Sequence, residues 1–502
     1  MTRSRRSRLT APGAVLVAVA LAAGCGTPDT EQFSATVAPP TTLVVSDGSL
    51  PSEGTTDLSE SPPDTGISSA TPSATPSETV PSSSPSVSPP ASEPAPVDPV
   101  VALGATAVVP WGPVTAADIG RAVAQVAGMT VAAKAGSVVM AASAAAVDST
   151  VVGDLGLAGV NLLGTRGVLD GTSGGRPSQV AAVTATLAAQ VPAGQAGFPL
   201  LIATDQENGT VTRLINGFTE LPGAGDLGSI VDLDTAVQAT TDAAAISAAE
   251  LAAVGINLDF APVSDLLPRN GSSGIGDRSF GSDPARVAAL VAAAVQGYQN
   301  AGVATSLKHF PGLGEVAADS HVTLATLTAD CGAWNARAST PVRAGVDAGA
   351  ALVMTGHTLF PAVDPGSEPT SLSKVVLQDL LRGDPAVPLS GGCTPVGFRG
   401  LAISDSLVMA PVTDAYSTGE AAWRSLAAGE DIVLMPASPT AAVAGITDAI
   451  GTGQLPESRL NEASVRVFAL RAALSRSPRP ALDTVGSAAN EAAAQAIWNR
   501  IR

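Results

Sequence analysis

The chain has 502 residues, 45% hydrophobic and only 14% charged, enough for one large domain or two ordinary ones. Its net charge of −18 argues against a phosphate-binding surface, so no nucleic acid partner is expected. With 3 cysteines, 3 histidines and no HExxH or CxxC pair, the chain offers too few ligands for a metal cluster; neither a metal nor a cofactor is expected.

The first 24 residues read as an export address. Arg3, Arg5, Arg6 and Arg8 precede a short apolar run, Ala14–Ala23, below the length of a membrane-spanning helix. The run ends at Leu21-Ala22-Ala23-Gly24-Cys25, which resembles a lipobox with Cys25 as the lipidated residue. Residues 25–100 are rich in Ser, Thr and Pro and bury too little apolar surface to fold, so they are expected to form a disordered tether. Anchor and tether together imply an extracytoplasmic domain held at the outer face of the cell membrane by a lipid on Cys25. In that oxidising setting Cys331 and Cys393, both in polar loop-like sequence, are expected to pair; two unrelated buried thiols are the alternative.

From residue 101 to about 482, short apolar runs alternate with Ala-rich helical stretches. Eight runs read as buried parallel strands: Ser137–Ser143, Gly159–Arg166, Pro199–Glu207, Ile256–Val263, Val303–Pro311, Ala351–His357, Leu401–Leu407 and Asp431–Ala437. Eight strand–helix units predict an α/β fold, a (β/α)8 barrel, with an open doubly wound sheet as the alternative. Residues 483–502 form a tail with an Ala-rich helical segment.

The polar residues at the strand ends carry the chemistry. The third run delivers Asp205, Gln206 and Glu207, and the fourth delivers Asp259 and leads to Asp265. The fifth delivers Lys308 and His309, the loop after it Asp319 and His321, and the seventh Asp405. All 3 histidines of the chain, His309, His321 and His357, fall at or just beyond strand ends. In a barrel those ends form the catalytic face. Carboxylates and a base gathered there suit glycosyl transfer, in which one carboxylate attacks the anomeric carbon and a separate donor protonates the leaving oxygen.

Eight segments then match one family in order. They are Gly128–Met140, Ala203–Leu214, Asn257–Asp265, Gly274–Pro284, Lys308–His321 (KHFPGLGEVAADSH), Leu372–Arg382, Phe398–Val412 (FRGLAISDSLVMAPV) and Ala428–Pro436. The chain resembles the bacterial β-N-acetylglucosaminidases of glycoside hydrolase family 3 over about residues 128–474. The resemblance implies that Asp405 is the nucleophile, His321 the acid/base and Asp319 its partner. It also implies that Asp205, Arg213, Arg278, Lys308 and His309 contact the sugar; His357 reads as a core or supporting histidine, with a direct sugar ligand as the alternative. The implied partner is a carbohydrate, N-acetylglucosamine-containing cell-wall fragments. Phosphorolysis through the same intermediate and a sugar-binding lipoprotein on the same scaffold are the other readings.

The chain also departs from the family. Leu313 stands where the family's KHFPGHG has its second histidine. Asp205-Gln206-Glu207-Asn208-Gly209-Thr210-Val211 replaces DQEGGRV, which places Asn208 and Thr210 as well as Leu313 near the expected sugar. The GxGxxG pattern at Gly223–Gly228 follows Leu221-Pro222 rather than a strand and is not read as a nucleotide site.

Overall fold

The computed structural model describes residues 108–146, 149–163, 175–269, 273–316 and 323–501. The expected leader, tether and Cys25 lie outside them, as do Asp319 and His321. Each of the eight apolar runs contributes a barrel strand: β1 (Val139–Ala142), β2 (Gly159–Leu162), β3 (Leu201–Thr204), β4 (Leu258–Asp259), β5 (Ala304–Phe310), β7 (Leu352–Thr355), β9 (Leu401–Ser404) and β10 (Val433–Leu434). Two short strands, β6 (Ala325–Thr326) and β8 (Thr358–Leu359), pair separately above the barrel strands β5 and β7 in sequence.

All eight barrel strands run parallel in the order β10-β1-β2-β3-β4-β5-β7-β9. The ring closes between β9 and β10: Ile403 bridges Ile432, and the Ser404 N–H donates to the Ile432 carbonyl at 3.2 Å. This is a (β/α)8 barrel rather than an open sheet. The strands read as unbroken apolar runs because both faces are covered. The run Ile256–Val263 yields only a two-residue strand, since Pro262 has no N–H to continue the ladder.

The helices follow from local signals. α1 (Ala116–Ala127) begins in a capping box of Thr115 and Asp118. After α2 (Pro177–Ala188), the N-cap carboxylates of Asp232 and Asp283 start α3 (Leu233–Ala253) and α4 (Pro284–Asn300). Their alanine content permits close approach: a Cβ on Gly297 of α4 would lie 2.6 Å from the Thr241 carbonyl oxygen of α3. α5 (Ser339–Asp347), α6 (Thr418–Ala428) and α7 (Pro439–Gly451) continue the outer ring. α8 (Glu457–Leu474) behaves differently, since nearly every residue from Leu460 on is buried. Its Val465, Phe468, Ala469 and Ala472 pack with Met140, Leu201, Leu258, Leu352 and Leu401 of the strands, and with Ile119 and Val126 of α1. α8 and α1 thus stopper the N-terminal end of the barrel. Arg471 of α8 is buried there and donates to the Phe198 and Pro199 carbonyls, at 2.7 and 2.8 Å, just before β3.

Cys331 and Cys393 are joined by a disulfide that spans 62 residues. The Gly223–Gly228 pattern opens a short helix, Ala224–Ser229. Its glycines serve packing: a Cβ on Gly228 would lie 2.0 Å from the Phe280 carbonyl oxygen. The C-terminal α9 (Ala488–Ile501) lies against α3, with Ala494 and Ile497 buried. Among the described residues no helix is long and apolar enough to cross a membrane.

Candidate active site

Strand register brings the polar residues to one end of the barrel. Asp205 follows β3 directly, and Lys308 and His309 lie on β5. Asp405 follows β9, where its N–H donates to the Thr355 carbonyl at 2.8 Å. Thr355 in turn pairs with Phe310 at the end of β5. Asp405, Thr355 and Phe310 therefore sit side by side at the C-terminal rim.

One side of the rim is a buried charge lattice. The Lys308 ammonium is 2% exposed and lies 2.8 Å from Asp205 Oδ1 and 2.6 Å from Glu207 Oε1. Arg278 forks onto Glu207 through Nε and Nη2, both at 2.8 Å. Two carboxylates thus meet two cations. Burial alone would raise Asp205 and Glu207, but the Lys308 charge prevails and holds both below their ordinary values. Burial would lower Lys308, yet Asp205 and Glu207 raise it. All three groups stay charged at neutral pH. Asn161 of β2 adds an Nδ2 contact to Asp205 Oδ2 at 3.3 Å. The lattice is rigid, and its polar groups are already oriented before a hydroxyl-rich ligand arrives.

The Gln206 side-chain oxygen accepts the N–H groups of Arg213 and Leu214, both at 2.9 Å, and so pins the returning loop. The Arg213 guanidinium is close enough to Asp205 to lower it further. Arg213 Nε is buried without a partner, a donor available to a bound ligand.

His309 is held by Asp265. Asp265 Oδ2 accepts from the His309 backbone N–H at 3.1 Å and from Nδ1 at 2.8 Å. Its Oδ1 accepts from the N–H groups of Leu313 and Gly314 at 2.6 and 3.2 Å. Burial would raise Asp265, but the contacts from His309 and the Leu313 N–H together outweigh it and hold the carboxyl below its ordinary value. The Nδ1 contact fixes the orientation of the His309 ring.

Asp405 is half-buried. One carboxylate oxygen, Oδ1, accepts the Ser406 N–H at 2.7 Å. Oδ2 has no hydrogen-bond partner among the described residues. The fully buried His357 supports this turn from below. Its Nε2 donates to the Ser406 carbonyl at 3.0 Å, and its Nδ1 lies 2.7 Å from Ser371 Oγ.

The three departures from the family pattern take defined places. Thr210 hydrogen-bonds Asp277, the neighbour of Arg278, at the surface. Leu313 is 7% exposed and completes an apolar cluster with Val263 and Ile275. Asn208 adopts φ +62°, a backbone that glycine adopts more readily. Glu207 and Asp265 stand near strand ends in the sequence with no role implied, and Asn161 carries no sequence signal of its own. Glu207 closes an apolar run much as Asp205 does, whereas Asn161 lies within β2 and Asp265 stands two residues beyond its run.

A barrel whose rim gathers ionised carboxylates, a buried lysine, a forked arginine and a histidine is the architecture of a carbohydrate-cleaving enzyme. The profile of the glycosyl hydrolase family 3 N terminal domain matches residues 124–470. A β-hexosaminidase of Stenotrophomonas maltophilia (strain R551-3) is 38% identical over 259 residues, 51% of this chain and 71% of the relative. The structure of a family 3 β-N-acetylglucosaminidase from Paenibacillus sp. str. FPU-7 superposes with a TM-score of 0.65 at 32% identity, over 74% of this chain and 69% of that one. A β-N-acetylhexosaminidase from Beutenbergia cavernae superposes at 0.58 and 32% identity, over 69% of this chain and 99% of that one. The chain belongs to glycosyl hydrolase family 3 and is a glycoside hydrolase.

Proposed function

We propose that the protein is a retaining exo-β-N-acetylglucosaminidase that removes terminal N-acetylglucosamine from peptidoglycan-derived fragments. The Stenotrophomonas and Paenibacillus relatives support the activity class. The observation that carries the reading is the Asp405 carboxylate at the end of β9, with Oδ1 fixed by the Ser406 N–H and Oδ2 without a hydrogen-bond partner among the described residues. In this reading Oδ2 attacks C1 and forms an ester as the glycosidic C–O bond breaks, and the proton for the leaving oxygen comes from His321. Asp319 orients the imidazole. Water, deprotonated by the same histidine, then releases the sugar from Asp405. Asp205, Arg213, Lys308 and His309 hold the hydroxyls of the terminal sugar, with Arg278 keeping Glu207 and thereby Lys308 in place. A lipid on Cys25 and a tether over residues 25–100 hold the barrel domain at the outer membrane face.

Two measurements test this on the purified protein. Turnover of a nitrophenyl β-N-acetylglucosaminide should proceed in phosphate-free buffer, and Asp405→Asn should reduce it roughly a thousandfold or more while the circular dichroism stays unchanged. A mechanism-based fluoro-sugar should label the peptide that contains Asp405. Labelling elsewhere removes the assignment, and turnover that depends on added phosphate replaces hydrolysis with phosphorolysis.

A further inference from the structure

Four arginines, Arg382, Arg399, Arg459 and Arg466, line a concavity of about 990 Å³, partly open to solvent, together with Gln378, Phe398 and Glu462. It lies where the first half of α8 meets the chain entering β9 and β10. Arg399 precedes β9 and Asp405 follows it, six residues on, so the concavity sits about 20 Å along the strand from the rim.

The charges there do not balance. The fully buried Asp431 carboxylate receives Arg382 Nη2 at 2.6 Å, Arg459 Nη2 at 2.7 Å and Arg466 Nη1 at 3.3 Å. Glu462 pairs with Arg466 and Arg459. Four guanidiniums against these two carboxylates leave two positive charges in excess (4 − 2 = 2). Counting the buried Glu430 beside Asp431 as ionised still leaves one. Arg466 is only 6% exposed, and its Nε has no partner. Its Nη2 likewise has none among the described residues, nor do Nε and Nη2 of the exposed Arg399, whose Nη1 contacts the Arg382 carbonyl at 3.3 Å. Three largely buried arginines with surplus donors, beside the exposed Arg399, favour a local counter-ion in a chain of net charge −18.

We propose that this concavity is a binding site for a tetrahedral oxyanion of the phosphate class, free or carried as a monoester on a small molecule or a lipid headgroup. Guanidinium forks match such an anion by paired hydrogen bonds. The α8 stopper and the entries to β9 and β10 all contribute to the site, so occupancy clamps the closed end of the barrel. The inference does not depend on which glycan the rim cleaves.

Calorimetric titration of the full chain at low ionic strength tests it, with inorganic phosphate as the probe. One saturable site and a raised melting temperature are expected. Arg399→Ala should weaken binding about tenfold or more, the loss of one charge-assisted hydrogen bond, while leaving glycoside turnover unchanged. Arg399→Lys should fall between the two. Parallel titrations with glycerol phosphate and cosedimentation with phosphatidic acid vesicles identify the natural source of the anion. No saturable binding, binding that survives Arg399→Ala, or binding displaced by N-acetylglucosamine would each overturn the proposal; the last would place phosphate at the rim.

Discussion

Asp265 touches no expected ligand atom directly, yet it organises two parts of the rim at once. Its two oxygens accept from the His309 imidazole and backbone and from the N–H groups of Leu313 and Gly314, the stem of the loop that continues toward Asp319 and His321. An amide cannot replace it. Asparagine in the same pose turns an N–H₂ toward the Nδ1–H or toward the loop N–H groups, so His309 changes tautomer or the stem loses its anchor. Asp265→Asn is expected to cost about 1.5–3 kcal/mol of transition-state binding, roughly a 10- to 150-fold fall in kcat/KM. The protein should stay folded by near-ultraviolet circular dichroism, and unchanged kcat/KM would show that the dyad is dispensable. Residues of this kind escape sequence reading for a physical reason. Asp205 and Asp265 look alike in sequence, each an acid after an apolar run. Only the cross-strand distances, Lys308 beside the first and His309 beside the second, separate their tasks.

At the scale of elements, strand existence was legible because burial on both faces demands unbroken apolar runs, and all eight runs became parallel strands. The closing pair was not, since β9 and β10 meet through a single bridge from Ile403 to Ile432 that no local pattern announces. The role of α8 was also hidden. Its residues Leu460 to Leu474 are buried all round, so the sequence lacks the one-sided stripe of an outer barrel helix. The Cys331–Cys393 link ties the helix that starts at Cys331 to the loop before β9. Closing 62 residues removes about 4 kcal/mol of unfolded-chain entropy in the simplest treatment. Cys331→Ser together with Cys393→Ser should therefore lower unfolding free energy by about 2–4 kcal/mol in urea. The residues proposed to contact the sugar, Asp205, Arg213, Lys308, His309 and Asp405, lie outside the loop, so turnover at low temperature should change little. A double variant as stable as the parent would mean that the link is not formed in solution.

Across the whole molecule, the barrel buries acids in two opposite electrostatic situations, and its pH response is their difference. Three arginines surround Asp431; burial works against its charge, but they prevail and hold it at about 2. That group supports folding above the ordinary aspartate range and loses about 2 kcal/mol as pH falls through its folded value. Its neighbour Glu430 goes the other way. Burial raises it well above the usual range, only the Thr355 hydroxyl and the more distant arginines oppose that, and Asp431 pushes it up further. Folded Glu430 therefore keeps a proton that the unfolded chain releases above about pH 4.5. Its contribution is complete in acid and declines steadily as pH rises toward the folded value. Glu430→Gln preserves shape and an acceptor for Thr355 but has no proton to hold. Relative to the parent, the variant should be at its weakest near pH 4 and gain with each step upward, by at most about 1.4 kcal/mol per pH unit. Urea midpoints of both proteins at pH 4 and pH 8 measure this directly. A stability gap equal at the two pH values would show that Glu430 ionises in the folded barrel as it does in the unfolded chain.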